Sequence, residues 1–122
     1  MRLGRATPIL RMFDEGKARE FYVDWLQFKV QFEHRFGANM PLYLGLVRDD
    51  LELHLSEHHG DTTPGTRVRL AVDGIHAFYD DIASRRYAFL RPGAPQKQEW
   101  GEWDLTLTDP FGNKLTFYEI MQ

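Results

Sequence analysis

The sequence predicts an α+β fold made of two βαβββ units in tandem. Each half begins with a short alternating strand and continues into a helix-like stretch with apolar residues at i, i+3, i+4, i+7 and i+8. Three more strand-like runs then follow in each half. The 122 residues suit a single domain, with a first unit over about 6–57, a linker over 58–66 and a second unit over about 67–120.

In the first unit, a strand is predicted over 7–13, and Asp14 is placed to cap the helix that follows it. The apolar helix face consists of Ala18, Phe21, Tyr22, Trp25 and Leu26. Further strands are predicted over about 28–36, 42–47 and 51–57, with a tight turn at 48–50.

The second unit repeats this order, with a strand over 68–72 and Asp73 as the predicted cap of the second helix. The apolar face of that helix consists of Ile75, Phe78, Tyr79, Ile82 and Ala83. Strands are predicted over 87–90, 102–108 and 114–120. The last two are joined by a hairpin turn at 109–113, where proline presets φ and Gly112 and Asn113 tolerate positive φ.

Composition and charge exclude several classes of function. The net charge of −3 argues against a nucleic-acid partner, which requires a basic surface. The chain has no cysteine, so neither a disulfide framework nor a thiolate metal site is available. No apolar run approaches membrane-spanning length. We therefore expect a soluble cytoplasmic protein with no membrane partner.

The segment before the hairpin carries a family resemblance. Trp100 and Gly101 lie in the run Gln-Glu-Trp-Gly-Glu-Trp at 98–103, directly before the first hairpin strand. This arrangement resembles the closing segment of the glyoxalase/bleomycin-resistance/extradiol-dioxygenase (vicinal oxygen chelate) superfamily, and most of all its bleomycin-resistance branch. The resemblance implies tandem βαβββ units with curved mixed sheets. It also implies a homodimer whose pairing creates two symmetric crevices.

The same resemblance indicates where a metal centre would lie in this sequence. Enzymes of the superfamily bind a divalent metal through four inward-facing side chains, and the matching places here fall near Thr7, His54, Arg67 and Thr116. Threonine is a weak ligand and a guanidinium opposes a cation, so only His54 suits a metal. We expect no cofactor. The alternative is an atypical site around His54, with His58 on the same strand face.

What remains of the resemblance is a ligand-binding surface. In the bleomycin-resistance proteins, aromatic side chains sandwich the planar part of the drug, and Phe32, Phe36, Trp100 and Gly101 match those motifs. For Phe32 and Phe36, a place in the core or in a dimer interface is an equally good interpretation. The other residues expected to line the crevice are His54, Ser56, Arg67 and Glu102. The acidic residues Glu33, Glu57, Glu99 and Glu102 favour a cationic ligand.

These expectations combine into a dimeric, metal-free protein that binds a planar aromatic, possibly cationic, bleomycin-like antibiotic and confers resistance by sequestration. No residue is expected to be catalytic, because the chain has no cysteine and neither Ser56 nor Ser84 lies in a nucleophile context. The alternative is a metal-dependent glyoxalase- or dioxygenase-like enzyme built around His54. A third hypothesis is a sensor or immunity-type binding module for another hydrophobic metabolite.

Overall fold

The fold is described from a computed structural model that covers all residues from 1 to 122. The chain divides into two compact units, Met1–Pro64 and Gly65–Gln122. Each unit contains a four-stranded mixed sheet and one helical segment, so the predicted α+β class and the tandem βαβββ plan are confirmed. Neither helical segment has the length and apolar composition that a membrane crossing requires.

Unit 1 follows the predicted order of elements. They are β1 (Ile9–Arg11), α1 (Glu15–Arg19), a π-helical continuation of α1 (Glu20–Trp25), β2 (Lys29–His34), β3 (Tyr43–Arg48) and β4 (Leu51–Ser56). The strand order in the sheet is β1-β4-β3-β2. β1 is parallel to β4, and the other pairs are antiparallel. β1 and β2 are shorter than the runs of 7–13 and 28–36 that the sequence predicted.

The sheet of unit 1 has an apolar face and a polar face. Because side chains alternate along a strand, the register places one set of leucines together, all fully buried: Leu10, Leu44, Leu46, Leu53 and Leu55. The residues between them form what we call the polar face of unit 1, which includes Tyr43, Glu52 and His54. The hydrophobic core of this unit therefore lies on the leucine side.

The first helix begins as predicted but changes its geometry halfway. The Asp14 carboxylate accepts a hydrogen bond from the Lys17 N–H and caps the helix. From Glu20 onward the turns widen, and the Leu26 N–H donates to the carbonyl of Phe21, five residues earlier. The whole predicted apolar face is nevertheless buried, including Trp25 at 2% exposure.

Unit 2 repeats the architecture with its own sheet. Its elements are β5 (Arg67–Ala71), α2 (Ile75–Ser84), β6 (Gln96–Gln98), β7 (Glu102–Thr108) and β8 (Lys114–Ile120). The strand order is β5-β8-β7-β6, with β5 parallel to β8 and the other pairs antiparallel. On the apolar face, the Phe78 ring of α2 packs against Phe117 of β8, with 4.5 Å between ring centroids. Ile75 and Ile82 of the predicted helix face are buried, whereas Ala83 is exposed.

The prediction of a strand over 87–90 is wrong. That segment forms a turn, and the strand that pairs with β7 is β6, which the sequence pattern did not predict. β6 is the short sequence Gln-Lys-Gln at the edge of the sheet. Since neither side of such an edge strand has to be apolar, it shows no alternation that a sequence pattern would reveal.

The predicted cap of the second helix is also wrong. The N-terminal cap position of α2 is Gly74, with φ of 96°, and glycine has no side chain that could bond to the helix. Instead the Glu119 carboxylate, from β8, accepts hydrogen bonds from the N–H groups of Gly74 and Ile75. Asp73 does not fill this role because a carboxylate from the neighbouring strand already occupies the helix end.

The hairpin between β7 and β8 is confirmed. The Asp109 side chain accepts hydrogen bonds from the backbone N–H groups of Phe111 and Asn113 and from the Asn113 side-chain amide. Gly112 takes a positive φ of 87°, which a residue with a side chain rarely adopts. The turn is thus held by a buried aspartate as well as by proline and glycine.

Candidate functional site

A bulge in β2 places Phe32 on the polar face of unit 1. Val30 lies opposite Leu46, but Phe32 lies opposite Gly45, because the register shifts between Val30 and Phe32. A regular strand would have put both side chains on the leucine face, since residues two apart share a face. The bulge therefore turns Phe32 out of the core.

The Phe32 ring lies directly over Gly45. A Cβ atom at Gly45 would overlap the Phe32 ring, so the close approach of the ring to the backbone requires glycine. Phe32 is also nearly parallel to the Tyr43 ring, with 6.1 Å between centroids and 14° between planes. The His54 ring stands edge-on to both, at 5.2 Å from each. We call Phe32, Tyr43 and His54 the aromatic platform.

A hydrogen-bonded chain links the aromatic platform to Glu52. The Tyr43 hydroxyl lies 2.6 Å from His54 Nδ1, and His54 Nε2 lies 2.9 Å from Glu52 Oε1. The pKa of Tyr43 is raised by burial and by the negative charges of Asp61 and Glu52. The platform therefore combines apolar rings with a polar group in a negative potential.

The two other expected site residues of unit 1 are Phe36, which lies beyond the end of β2, and Ser56, which pairs directly with Tyr43 across β3 and β4. Phe36 follows β2 and is 84% exposed, with its ring edge-on to His34 at 4.6 Å between centroids. Ser56 is fully buried; its hydroxyl donates to Asp61 and accepts from the His58 N–H. Phe36 is thus outside the core, whereas the polar group of Ser56 is already used within the unit.

In unit 2, the expected site residues lie on the face of the sheet opposite Phe117. The Arg67 guanidinium donates to the Thr116 hydroxyl at 2.9 Å, and Thr116 also lies 2.9 Å from the Thr106 hydroxyl. Both residues therefore occupy the same polar face of unit 2. Glu119 points to the opposite face, where it caps α2.

A bidentate ion pair dominates this face of unit 2. Arg69 donates to both carboxylate oxygens of Glu102, at 2.8 and 3.1 Å, and its guanidinium lies 4.2 Å from the centre of the Tyr118 ring. The hydrogen bond from Arg69 lowers the pKa of Glu102, and the bond to Glu102 raises the pKa of Arg69. Glu102 is only 2% exposed, so its charge is satisfied inside the protein.

Trp100 sits in the turn before β7, next to the same carboxylate. Its side chain is 67% exposed, and it adds to the lowering of the pKa of Glu102. Gly101 next to it has a φ of 89°, which favours glycine in this turn. Trp100 is therefore an exposed aromatic side chain beside the ion pair of Arg69 and Glu102.

The residues at the four family metal places do not fit a metal ion. No group of three or more His, Asp or Glu side chains comes together in a way that could hold one. Both ring nitrogens of His54 already have partners, and Arg67 and Thr116 are bonded to each other. A metal at His54 would have to break one of these bonds, and the guanidinium of Arg67 is a cation that cannot ligate a metal ion.

Sequence reasoning missed Tyr43 and Glu52, which complete the polar groups around His54, and it missed the pairing of Arg69 with Glu102. Glu52 could have been found, because it lies two residues before His54 on the same strand and hence on the same face. Tyr43 and Arg69 depend on cross-strand register, which no local pattern reveals.

Comparisons with known proteins place these observations in a family. The family model described as "Glyoxalase superfamily protein" matches residues 1–122. A bleomycin-binding protein solved in complex with bleomycin is 28% identical, with a TM-score of 0.74, and the match covers 96% of this chain and 98% of that chain. A bleomycin resistance determinant encoded on the transposon Tn5 is 27% identical, with a TM-score of 0.76 and coverage of 98% and 100%.

More distant structures share the fold. A member of the glyoxalase/bleomycin resistance protein/dioxygenase superfamily from Sphaerobacter thermophilus is 22% identical, with a TM-score of 0.70 over 96% of this chain and 98% of that one. A search of curated proteins gives no match.

Proposed function

Because the chain belongs to the glyoxalase superfamily, we propose that it is a small-molecule binding protein that confers bleomycin-type resistance by sequestering the drug without a metal ion. Two of its structural relatives, at 28% and 27% identity, are a bleomycin-binding protein and a bleomycin resistance determinant. We further propose that it acts as a homodimer in the cytoplasm. The ligand class is inferred from these relatives, and the positions of the chain's own aromatic and acidic side chains support it.

The observation that carries the proposal is the exposure of aromatic side chains on the polar faces. Phe32 is 39% exposed although its ring is held against Gly45 and Tyr43. Trp100 is 67% exposed in the turn beside Glu102. A planar ligand that stacks on such pre-positioned rings gains contact area with little loss of side-chain entropy, at about 1–3 kcal/mol for each stacked ring by analogy with base stacking.

The charges near the aromatic platform favour a cationic ligand. Three of the four acidic residues expected to attract one are engaged elsewhere: Glu33 with Arg19, Glu57 with the Leu42 N–H, and Glu102 with Arg69. Glu52 takes over this role, because its carboxylate is partly exposed beside His54 and contributes to the raised pKa of Tyr43. The ligand we propose is therefore planar, aromatic and positively charged.

We propose a mechanism without a metal ion because the side chains at the four family metal places are poor metal ligands. His54 is the single imidazole among the four family metal places, and both of its nitrogens have protein partners. Sequestration needs no bond to form or break, so binding affinity and protein concentration alone determine the protection.

The experiment is a calorimetric titration of the purified protein with bleomycin, combined with growth of a sensitive bacterial strain that expresses the chain. We expect saturable binding with the drug recovered unchanged, and growth at drug concentrations that stop the control strain. Tight binding without resistance would leave a binding module of another kind. Chemical alteration of the bound drug would contradict sequestration.

A further inference from the structure

Two hydrogen bonds join Glu52, His54 and Tyr43 on the polar face of unit 1. The chemistry of these groups determines which of them donates in each bond. Its two contacts are 2.9 Å from Glu52 Oε1 to His54 Nε2 and 2.6 Å from His54 Nδ1 to the Tyr43 hydroxyl. An ionised carboxylate can only accept hydrogen bonds, so the proton at the first contact belongs to His54 Nε2. In neutral imidazole the other nitrogen is then an acceptor, and the Tyr43 hydroxyl must donate to it.

This direction leaves the Tyr43 oxygen with only lone pairs to offer. A tyrosine hydroxyl has one hydrogen, and that hydrogen is used by His54. The Tyr43 side chain is only partly buried, so part of it is open to a ligand on the polar face of unit 1. A ligand group placed against it finds an acceptor and no donor.

We propose that Tyr43 is a specificity-determining residue, which accepts a hydrogen bond from an N–H group of the ligand and disfavours ligands that offer only acceptors. The inference deepens the proposed function and rests on it, because it concerns the binding surface that contains Phe32. It names the ligand class more closely: a planar aromatic ring that carries an ammonium, amidinium or amide N–H beside it.

The geometry of the aromatic platform puts stacking and hydrogen bonding side by side. The Phe32 and Tyr43 rings are 14° from parallel with 6.1 Å between their centroids, so a ligand ring that stacks on the aromatic platform lies next to the Tyr43 side chain. Glu52 and Asp61 make the potential at that hydroxyl negative. An acceptor-only ligand would face both the lone pairs of Tyr43 and these carboxylates, with no compensating bond.

The experiment compares two naphthalene probes of similar shape by titration against the full-length protein. One is 2-naphthylmethylammonium, an N–H donor, and the other is 2-methoxynaphthalene, an acceptor. The protonation of His54 is read separately from the ¹⁵N chemical shifts of its ring nitrogens. In the unaltered protein we expect the proton on Nε2 and roughly a tenfold preference for the ammonium probe, the size of one charged hydrogen bond.

Three variants test the chain of bonds. Tyr43→Phe keeps the ring and removes the oxygen, so the preference should fall to the part that the negative charges of Glu52 and Asp61 supply. Glu52→Lys replaces an acceptor by a group that can only donate, which should move the His54 proton to Nδ1, turn the Tyr43 hydrogen outward and reverse the preference. Asp50→Lys makes the same charge change at an exposed position just before β4, away from His54, and should keep the preference and the His54 proton as they are in the unaltered protein.

The outcomes separate this inference from the proposed function. The inference is wrong if the unaltered protein carries the His54 proton on Nδ1, even if bleomycin binds tightly. It is also wrong if the probe preference of the variants does not follow the position of that proton. Failure of both probes to bind would overturn it as well. If the preference behaves as expected but bleomycin does not bind, the donor selectivity holds and bleomycin is the wrong ligand.

Discussion

At the scale of single residues, the contact between Gly45 and Phe32 is the one on which the aromatic platform depends. The ring occupies the space where any other residue at position 45 would carry its Cβ atom. Glycine in a central strand weakens the strand, which is often accepted where another group approaches the backbone closely. Here the approaching group is a side chain proposed to bind ligand.

We predict that Gly45→Ala displaces the Phe32 ring towards solvent. Because Phe32 lies on the exposed face of the edge strand β2, the ring can move without opening a cavity, and the stability loss should stay near 1 kcal/mol. Bleomycin affinity should fall roughly tenfold, as expected when one stacked ring is lost. Gly93→Ala, where a Cβ atom meets nothing within 4 Å, is the matched control and should leave both properties unchanged.

The two tryptophans Trp100 and Trp25 should respond in opposite ways to truncation. Trp100→Ala removes an exposed side chain and should change the free energy of unfolding by less than about 1 kcal/mol. The same change should lower the affinity for a planar aromatic ligand about tenfold to a hundredfold. Trp25→Ala empties a buried site and should cost about 3–5 kcal/mol. Denaturant unfolding curves and ligand titrations measure both effects. Equal destabilisation by the two changes would make Trp100 a structural residue.

At the scale of elements, the start of α2 depends on a carboxylate from another strand. The bonds from Gly74 and Ile75 lower the pKa of Glu119 below its ordinary value of 4.5. A lowered pKa in the folded state means that the stabilisation is fully present above the ordinary value. It is lost as the pH falls through the lower, folded-state value.

We therefore predict that Glu119→Gln is less stable than the unaltered protein at neutral pH, and that the difference shrinks as the pH approaches about 3. Free energies of unfolding from denaturant titrations between about pH 7 and pH 3 measure this. Asp73→Asn, at the position that the sequence pattern favoured as the cap, serves as the comparison and should have the smaller effect. A difference between Glu119→Gln and the unaltered protein that is independent of pH would show that Glu119 acts by packing instead.

At the scale of the whole molecule, the edges and faces of the sheets favour a homodimer. Every residue of the edge strand β2 is exposed, and exposed edge strands are normally covered. Apolar side chains such as Phe36 and Phe89 are also exposed. We predict a particle of twice the chain mass of 14.3 kDa in sedimentation at micromolar concentration. A stable monomer under those conditions would contradict the prediction.

A second prediction for the whole molecule concerns metals. Added Zn²⁺, Ni²⁺, Mn²⁺ or Fe²⁺ should not raise the melting temperature, because an ion that bound the folded state would stabilise it in proportion to its occupancy. The reason is the occupied imidazole of His54 and the cationic Arg67. A rise with metal concentration that disappears in His54→Ala would restore the enzymatic alternative.

The sequence by itself determined the parts of this protein that local physics controls. The apolar stripe of the first helix, the cap at Asp14, the strands 102–108 and 114–120 and the turn at 109–113 all follow from side-chain period, capping and turn chemistry. The tandem repetition of these local patterns was enough to predict the fold class.

Only the tertiary structure decided which residues meet. Four features depend on residues that are distant in the chain. They are the bulge that turns Phe32 outward, the bond from Tyr43 to His54, the pairing of Arg69 with Glu102 and the cap supplied by Glu119. Cross-strand register determines these contacts, and a shift of one residue exchanges the two faces of a strand. A local pattern carries no information about that register, so the chemistry of the polar faces became visible only once the strands were paired.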